Sequence, residues 1–187
     1  MSGIVWPDHL LGLADWAALP EDTSRNYELV DGVLVVSPKS PPRHQRAVWR
    51  LAANLDPQLP WVVLTGTEVV IDPAEPSTVR VPDLIAVRES AYRPYEARCA
   101  GADVELAVEI LSDGSRRTDR VAKFAEYAEI GIPYYWLIDL DSPATLTAYH
   151  LVDDHYELVA DSSTTTTLDL AGTRVEIDLA ALTSARA

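Results

Sequence analysis

The chain has 187 residues, of which 48% are hydrophobic and 24% are charged, and this predicts one globular domain spanning residues 1–187. No apolar run is long enough to cross a membrane, and the first residues lack a signal pattern, so we expect a cytoplasmic protein without a membrane partner. The single cysteine, Cys99, excludes an internal disulfide framework and a cysteine-based zinc cluster.

Charge is distributed unevenly along the chain. The 29 acidic and 15 basic residues give a net charge of −14, which counts against a nucleic-acid partner because phosphate binding uses Lys and Arg. Two segments are basic instead: Lys39–Arg50 has four basic residues and no acidic one, and Arg116–Lys123 has four basic residues and one acidic one. Either segment is typical of a solvated helix face or of a phosphate-binding surface. We give more weight to the second, because it borders Glu109.

Hydrophobic periodicity and turn residues predict the elements of the first half of the chain. Asp31-Gly32 is a strong hairpin signal between two apolar runs, and Pro57 and Pro60 end the helix that follows. In chain order the predicted elements are a helix at Leu10–Leu19, a hairpin of Tyr27–Asp31 and Val33–Ser37, a helix from about Arg43 to Leu55, a second strand pair at Trp61–Leu64 and Glu68–Ile71, a strand at Val79–Val87, and a short helix around Pro94–Cys99.

The stretch Val104–Asp139 predicts a strand, a helix and a second strand. The apolar run Val104–Leu111 carries Glu109 near its end, and apolar residues at helical spacing follow until Gly131 and Pro133 stop the helix. A second apolar run, Tyr134–Ile138, completes the unit. We expect the two strands to be parallel, central and buried on both faces, with a right-handed crossover.

The remainder of the chain is predicted to be mostly β structure. The expected elements are a hairpin of Leu146–Leu151 and Tyr156–Val159, a strand at Thr173–Ile177 and a short helix from Asp178. The fold class is therefore α+β, a mixed sheet flanked by helices with extra β-hairpins. Its core covers about residues 25–140, and residues 141–187 form a C-terminal β extension.

Asp83 and Glu109 are the candidate metal ligands. A buried carboxylate is costly unless it is paired or binds a metal. If the strands around these residues are antiparallel neighbours and Arg88 faces Val104, then Asp83 lies opposite Glu109, with Cβ atoms about 4.5–5.5 Å apart. One carboxylate would then take up a proton unless a cation lies between them, and oxygen ligands suit Mg²⁺ or Mn²⁺. The alternative is a turn-capping aspartate and a glutamate paired with an arginine.

Lys123 is the third candidate. Asp119 and Lys123 are four residues apart and so share one face of the predicted helix, where an ordinary surface ion pair is the alternative interpretation. The chain contains only two lysines but thirteen arginines. This scarcity of lysine indicates that the ammonium of Lys123 has a specific role that an arginine would not fill. Its flexible stem would reach the carboxylates, where it would orient a water or neutralise charge that develops on a phosphate.

Six short motifs occur in order along the chain. They are Tyr27-Glu28-Leu29-Val30-Asp31-Gly32; Ser37-Pro38 with His44; Val81-Pro82-Asp83; Val108-Glu109-Ile110-Leu111-Ser112; Asp119 with Lys123 and Tyr127; and Gly131-Ile132-Pro133 with Tyr135-Trp136. With these motifs the chain resembles the Uma-type family of restriction-endonuclease-like proteins, within the PD-(D/E)xK superfamily. The resemblance covers roughly residues 10–140.

The resemblance implies an αβββαβ core and a divalent metal, Mg²⁺ or Mn²⁺, held by Asp83 and Glu109 for phosphodiester hydrolysis. The superfamily has a lysine two residues after the glutamate, where this chain has Leu111. Similar proteins supply the lysine from the next helix, which is the place of Lys123.

The resemblance also assigns expected roles to further residues. Glu28 would add an oxygen ligand, directly or through water. His44 would contact phosphate or transfer a proton, and a structural histidine at the start of a helix is the alternative. The basic residues expected to hold the nucleic-acid backbone are Arg43, Arg46, Arg116 and Arg120.

These features together predict a Mg²⁺-dependent endonuclease acting on nucleic acid, with DNA as the expected substrate. A homodimer is plausible, because superfamily members often pair to cut duplexes. Two alternatives stay open, a nuclease-fold binding module that has lost turnover and a metal-dependent phosphohydrolase of small substrates. The net negative charge of the chain favours these two alternatives. The candidate residues Asp83, Glu109 and Lys123 favour the nuclease.

Overall fold

The computed structural model describes residues 8–20, 22–112 and 118–184. The strands are β1 (Arg25–Val30), β2 (Val33–Pro38), β3 (Val62–Thr65), β4 (Glu68–Asp72), β5 (Thr78–Arg80), β6 (Leu84–Val87), β7 (Arg98–Ala100), β8 (Val104–Leu111), β9 (Tyr134–Asp139), β10 (Thr145–Val152), β11 (His155–Ser162), β12 (Thr166–Leu170) and β13 (Thr173–Ile177). The helices are α1 (Leu13–Ala18), α2 (Pro42–Leu55), α3 (Phe124–Glu129) and α4 (Leu179–Thr183). A π-helical segment, Thr118–Lys123, leads directly into α3, and Glu89–Ala91 and Gly101–Asp103 form 3₁₀ turns.

The larger sheet has six strands in the order β11-β10-β9-β8-β6-β3. Its central strands β8 and β9 are parallel, as predicted, while the other pairs are antiparallel. Apolar side chains on both faces of β8 and β9 are buried, which explains why these continuous apolar runs take the centre of the sheet. Glu109, in β8, therefore lies inside the protein.

A smaller sheet of five strands has the order β2-β1-β5-β4-β7, and β12 pairs with β13 separately. The hairpin of β1 and β2 turns at Asp31-Gly32, as predicted, with positive φ angles of 49° and 74°. Such angles suit a two-residue hairpin turn. This hairpin carries Glu28 toward the larger sheet.

Helices pack on both faces of the larger sheet. On one face, α2 and α4 share an apolar cluster with Leu106, Val108 and Ile110 of β8. On the other face, Tyr127 of α3 packs in a second cluster with alternate residues of the same strand, which include Ala107. Since side chains alternate along a strand, Glu109 points to the α3 face.

The structure agrees with the predicted α+β class and corrects the predictions for three of the strands. The strands predicted at Trp61–Leu64 and Glu68–Ile71 form, but they do not pair with each other, because β3 pairs with β6 and β4 pairs with β5 and β7. The single strand predicted at Val79–Val87 is two strands, β5 and β6, in different sheets. Pro82 lies between them, and proline cannot donate to a ladder.

Two more predictions around β7 and β8 are wrong. The short helix around Pro94–Cys99 does not form, and Arg98–Ala100 instead pairs in parallel with β4. Arg88 does not face Val104, because a bulge between Ala86 and Val87 pairs Val87 with Val104. Before that bulge the register is the predicted one.

Candidate active site

Glu109 is buried near the end of β8, with 4% of its surface exposed. Its Oε1 atom accepts hydrogen bonds from the ammonium of Lys123 at 2.9 Å and from the hydroxyl of Tyr127 at 3.0 Å. Both donors come from the helical segment that follows β8 and crosses over it. The crossover predicted from the apolar pattern is thus what brings the two donors to the carboxylate.

The ammonium of Lys123 is enclosed by three carboxylates. It lies 2.9 Å from Glu109, 3.2 Å from Glu28 and 3.4 Å from Asp119. Lys123 and Asp119 are both buried, so this pair, four residues apart, is not the surface ion pair that spacing alone suggests. The π-helical turn that carries both residues places them on the inner side.

The cluster holds more negative than positive charge. Burial, together with the nearby carboxylates of Asp83, Asp119 and Glu28, raises the pKa of Glu109 to about 8, although Lys123 opposes the shift. Burial alone would lower the pKa of Lys123, but Glu109, Glu28 and Asp119 outweigh it and raise that pKa. We infer that Lys123 keeps its proton at neutral pH and that Glu109 is the carboxylate that takes one up.

Asp83 lies at the corner between β5 and β6, immediately before β6. Leu84 pairs with Val108, and one further step along both strands places Asp83 opposite Glu109. The Oδ2 atom of Asp83 accepts a hydrogen bond of 2.8 Å from the backbone N–H of Ile110. The corner thus fixes Asp83 against the end of β8, one residue beyond Glu109.

His44, in the first turn of α2, contacts Asp83 and the end of β8 from the other face of the sheet. Its Nε2 atom lies 3.1 Å from Asp83 Oδ2 and 3.0 Å from the backbone oxygen of Ile110. The side chain is buried, and its Nδ1 atom has no hydrogen-bond partner within the described residues. Burial by itself would lower the pKa of His44, but Asp83 and the Ile110 carbonyl raise it overall.

Glu28 is held by donors on both of its oxygens. Oε1 accepts from the backbone N–H of Val81 at 3.1 Å and faces Lys123, and Oε2 accepts from Arg80 at 3.0 Å. Arg80 is 2% exposed and also makes two bonds to Glu126, at 2.6 and 2.7 Å. Neither Arg80 nor Glu126 was predicted from the sequence as part of the site. Arg80 lies between Val79 and Val81, but this pattern does not reveal its ion pair with Glu126, which is far away in the sequence.

Comparison with known proteins assigns the family. The sequence model of Uma2, described as "Putative restriction endonuclease", matches residues 13–181. The chain belongs to the Uma2 family. Its predicted resemblance to Uma-type proteins is therefore confirmed. No curated protein matches the chain.

A solved structure shares the fold of this Uma2 protein. It is described as a putative nuclease belonging to DUF820 from Anabaena variabilis, with a TM-score of 0.68 and 17% sequence identity. The match covers 92% of this chain and 97% of the other, and it confirms the predicted fold class. None of the helices in the described part of the Uma2 chain has the length and hydrophobicity that a membrane-spanning helix needs.

The predicted nucleic-acid contacts of this Uma2 protein are not gathered at Glu109. Arg43 lies 3.7 Å from Asp141, and Arg46 donates at 3.3 Å to the backbone oxygen of Ser184, so both reach the C-terminal part of the chain. Arg120 is exposed, on the π-helical segment. Arg116 lies outside the described residues.

The carboxylates of this Uma2 protein suit a divalent cation that binds only two protein side chains. The described residues contain no group of three His, Cys, Asp or Glu side chains arranged to hold a metal. Mg²⁺, however, usually takes only one or two carboxylates and completes its shell with water and substrate phosphate. Asp83 and Glu109 supply two carboxylates at adjacent strand positions, and the excess of negative charge around them favours a cation.

Proposed function

We propose that this Uma2 protein is an endonuclease that uses a divalent metal to hydrolyse phosphodiester bonds of nucleic acid, with DNA as the expected substrate. The observation that carries the proposal is the convergence of Asp83, Glu109 and the buried ammonium of Lys123 at one end of the central strands. The family description, a restriction endonuclease, and the likeness to a structure described as a nuclease support the same reaction class.

Each residue has a defined role in this proposal. Asp83 and Glu109 would hold Mg²⁺ or Mn²⁺, which when bound would polarise the scissile phosphate and lower the pKa of an attacking water. Lys123 orients the Glu109 carboxylate and would help to position that water or stabilise charge on the phosphate. Tyr127 holds Glu109 from a second direction.

Glu28 has a positioning role in the proposal. Its contacts with Arg80, Val81 and Lys123 fix the ammonium near Glu109. Its use as a further metal ligand remains a prediction. The homodimer and the cytoplasmic location also remain predictions.

Metal binding can be tested without any assumption about turnover. Calorimetric titration of the wild type with Mn²⁺ should detect a site, and the double variant Asp83→Asn, Glu109→Gln should abolish it, because the amides keep the side-chain volume and remove the charge. Asp141→Asn, which removes an exposed carboxylate, should leave the titration unchanged. Equal binding by the wild type and the double variant would reject this site.

Turnover is tested by adding Mg²⁺ or Mn²⁺ to plasmid, single-stranded DNA and RNA. We expect metal-dependent cleavage of at least one substrate by the wild type and none by the double variant purified in the same way. A non-catalytic binding module is the second candidate, since the three carboxylates around Lys123 and the net charge of −14 favour it. Metal binding without cleavage of any substrate would decide for that candidate.

A further inference from the structure

Helix α2 has a basic outer face and begins beside the candidate site. The segment Gly32–Leu55, which contains β2 and α2, has four basic residues and no acidic one, although the net charge of the chain is −14. His44, in the first turn of α2, contacts Asp83. Three of the four basic residues lie on the same helix, namely Arg43, Arg46 and Arg50.

An exposed tryptophan lies on this outer face. Trp49 is 66% exposed, whereas the other three tryptophans of the described residues are buried or half-buried. Arg43, Arg46 and Trp49 follow each other at intervals of three residues, and side chains at this spacing form one ridge on a helix. Trp49 is about 7.5 Å from His44 along the helix axis. The ridge therefore leads from the candidate site to an exposed indole.

The contacts of the α2 arginines leave positive charge on this face. Arg43 lies 3.7 Å from Asp141, and both side chains are more than half exposed, so this ion pair contributes little and is easily exchanged for another anion. Arg50 donates to the backbone oxygen of Ala181 and to the hydroxyl of Ser184, and neither acceptor is charged. The face thus suits an anionic partner.

The chemistry of the face favours nucleic acid over a second copy of the chain. A two-fold contact through this face would place the arginines of α2 against their own copies, and such like-charge contacts are unfavourable. A nucleic-acid strand instead offers phosphates to the arginines and a base to the indole. An indole stacks only on a base whose face is uncovered, which is the case for unpaired bases but not for those inside a duplex.

We propose that the outer face of α2 binds an unpaired stretch of the DNA substrate, with a base stacked on Trp49 and the phosphates beside Arg43 and Arg46. This assignment rests on the proposed function, because the strand held on α2 is the one that leads into the metal site. It makes DNA with unpaired bases next to the cleavage point the preferred substrate over an intact duplex.

The experiment measures binding by the full chain in EDTA and at low salt, as the fluorescence anisotropy of a labelled oligo-thymidylate. The wild type should bind this single strand more tightly than the same strand annealed to oligo-adenylate. Trp49→Ala should weaken single-strand binding about tenfold, whereas Trp49→Phe should keep most of it, because a phenyl ring also stacks. The matched control is Tyr95→Ala, which removes an aromatic ring that is 99% exposed outside the basic segment and should change nothing.

Several outcomes would overturn the assignment of Trp49. They are an absence of single-strand binding by the wild type, tighter binding of the duplex, and equal single-strand affinities of the wild type and a folded Trp49→Ala variant. A wild-type dimer that Trp49→Ala converts to a monomer without loss of DNA binding would also overturn it, and would identify the face as a contact between copies. Failure of the proposed function is distinguishable, because it would appear as a wild type that binds the single strand but shows no metal-dependent cleavage.

Discussion

At the residue scale, Lys123 is confined by its surroundings rather than by its own helix. Three carboxylate oxygens lie between 2.9 and 3.4 Å from its ammonium, and its side chain is only 7% exposed. A compact ammonium fits such an enclosure and can direct its three donors to separate acceptors. A planar guanidinium is larger and has fixed donor directions.

This enclosure predicts different outcomes for metal binding and cleavage in Lys123 variants. Lys123→Ala should leave Mn²⁺ binding nearly intact and remove cleavage, since the metal carboxylates stay in place while the positioned ammonium is lost. Lys123→Arg should not restore cleavage. The measurements are Mn²⁺ titration and plasmid cleavage, with Lys39→Ala as the control because Lys39 is exposed on the surface. Full cleavage by Lys123→Ala would contradict the role given to Lys123.

Glu109 should lower the stability of the metal-free protein at neutral pH. Its pKa is raised to about 8 in the folded state, above the usual value of about 4.3 in an unfolded chain. The favourable contribution of its protonated form is complete below pH 4 and is lost as the pH rises toward 8. In EDTA, Glu109→Gln should therefore exceed the wild type in unfolding free energy at pH 8, by an amount on the order of 5 kcal/mol.

The check on Glu109 is a series of denaturant unfolding curves between pH 5 and pH 8. The difference between the variant and the wild type should grow with pH. The control is Glu129→Gln, which changes an exposed residue at the end of α3 and should give a difference that does not depend on pH. If the difference in unfolding free energy between Glu109→Gln and the wild type does not change with pH, the buried carboxyl of Glu109 is not the cause of the lower stability at pH 8.

The sequence predicted some residues of the site and missed others for physical reasons. Asp83 and Glu109 stand out because carboxylates next to buried apolar runs are costly, and Lys123 stands out because lysine is rare in this chain. Arg80 does not stand out, because an arginine in a short strand usually faces solvent. Its burial depends on Glu126, which is far away in sequence, so no local pattern indicates it.

At the scale of elements, Arg80 connects the smaller sheet to the helix that covers the larger one. From β5 it binds Glu28 of β1 and Glu126 of α3. A buried cation with two anionic partners adds little net stability, but its removal takes away the ion pair of Glu126 with Arg80 and leaves Glu28 with Lys123 as its remaining cation. The connection therefore holds α3, and with it Lys123 and Tyr127, against the hairpin of β1 and β2.

Arg80→Ala should destabilise the protein by about 3–5 kcal/mol, because Glu126 loses its pair with Arg80 and Glu28 loses one of its two cationic partners. Arg98→Ala is the matched control: Arg98 makes one 3.0 Å contact with Glu68 and is 31% exposed, so its loss should cost about 1 kcal/mol or less. Urea unfolding monitored by circular dichroism measures both. Equal losses for the two variants would contradict the bridging role of Arg80.

Element pairing was predictable only where it follows from local patterns. The Asp31-Gly32 hairpin and the parallel pair β8 and β9 follow from a turn signal and from a helical crossover. The pairing of β3 with β6 and of β4 with β7 does not, because it depends on packing between segments distant in sequence, and the pairing of β4 with the next strand, β5, has no comparable turn signal. The bulge in β6 is also invisible in a run of apolar residues that all suit a buried strand.

At the scale of the whole molecule, the C-terminal part of the chain packs into the same core as the site elements. Leu170 of β12 and Leu179 of α4 are buried in one cluster with Leu51 of α2 and Val108 of β8. This continuity supports our proposal that residues 1–187 fold as one unit, in which the C-terminal β extension is not independent.

One unit should unfold in one transition. Tryptophan fluorescence and far-ultraviolet circular dichroism should give the same urea midpoint. Leu170→Ala should lower that midpoint for both probes, with a loss of about 2–5 kcal/mol from the cavity. Leu158→Ala, at a residue that is 59% exposed, should change the unfolding free energy by about 0.5 kcal/mol or less. Two separate midpoints would contradict the single unit.

Between β5 and β6 the chain passes from the smaller sheet to the larger one through only three residues, Val81, Pro82 and Asp83. On one side of this corner the Val81 N–H donates to Glu28, and on the other side Asp83 accepts from the Ile110 N–H. Because a single residue, Pro82, separates Val81 from Asp83, a motion that displaces the corner acts on both bonds. The amide hydrogens of Val81 and Ile110 should therefore exchange with solvent deuterium in one correlated opening, although they report on two different sheets.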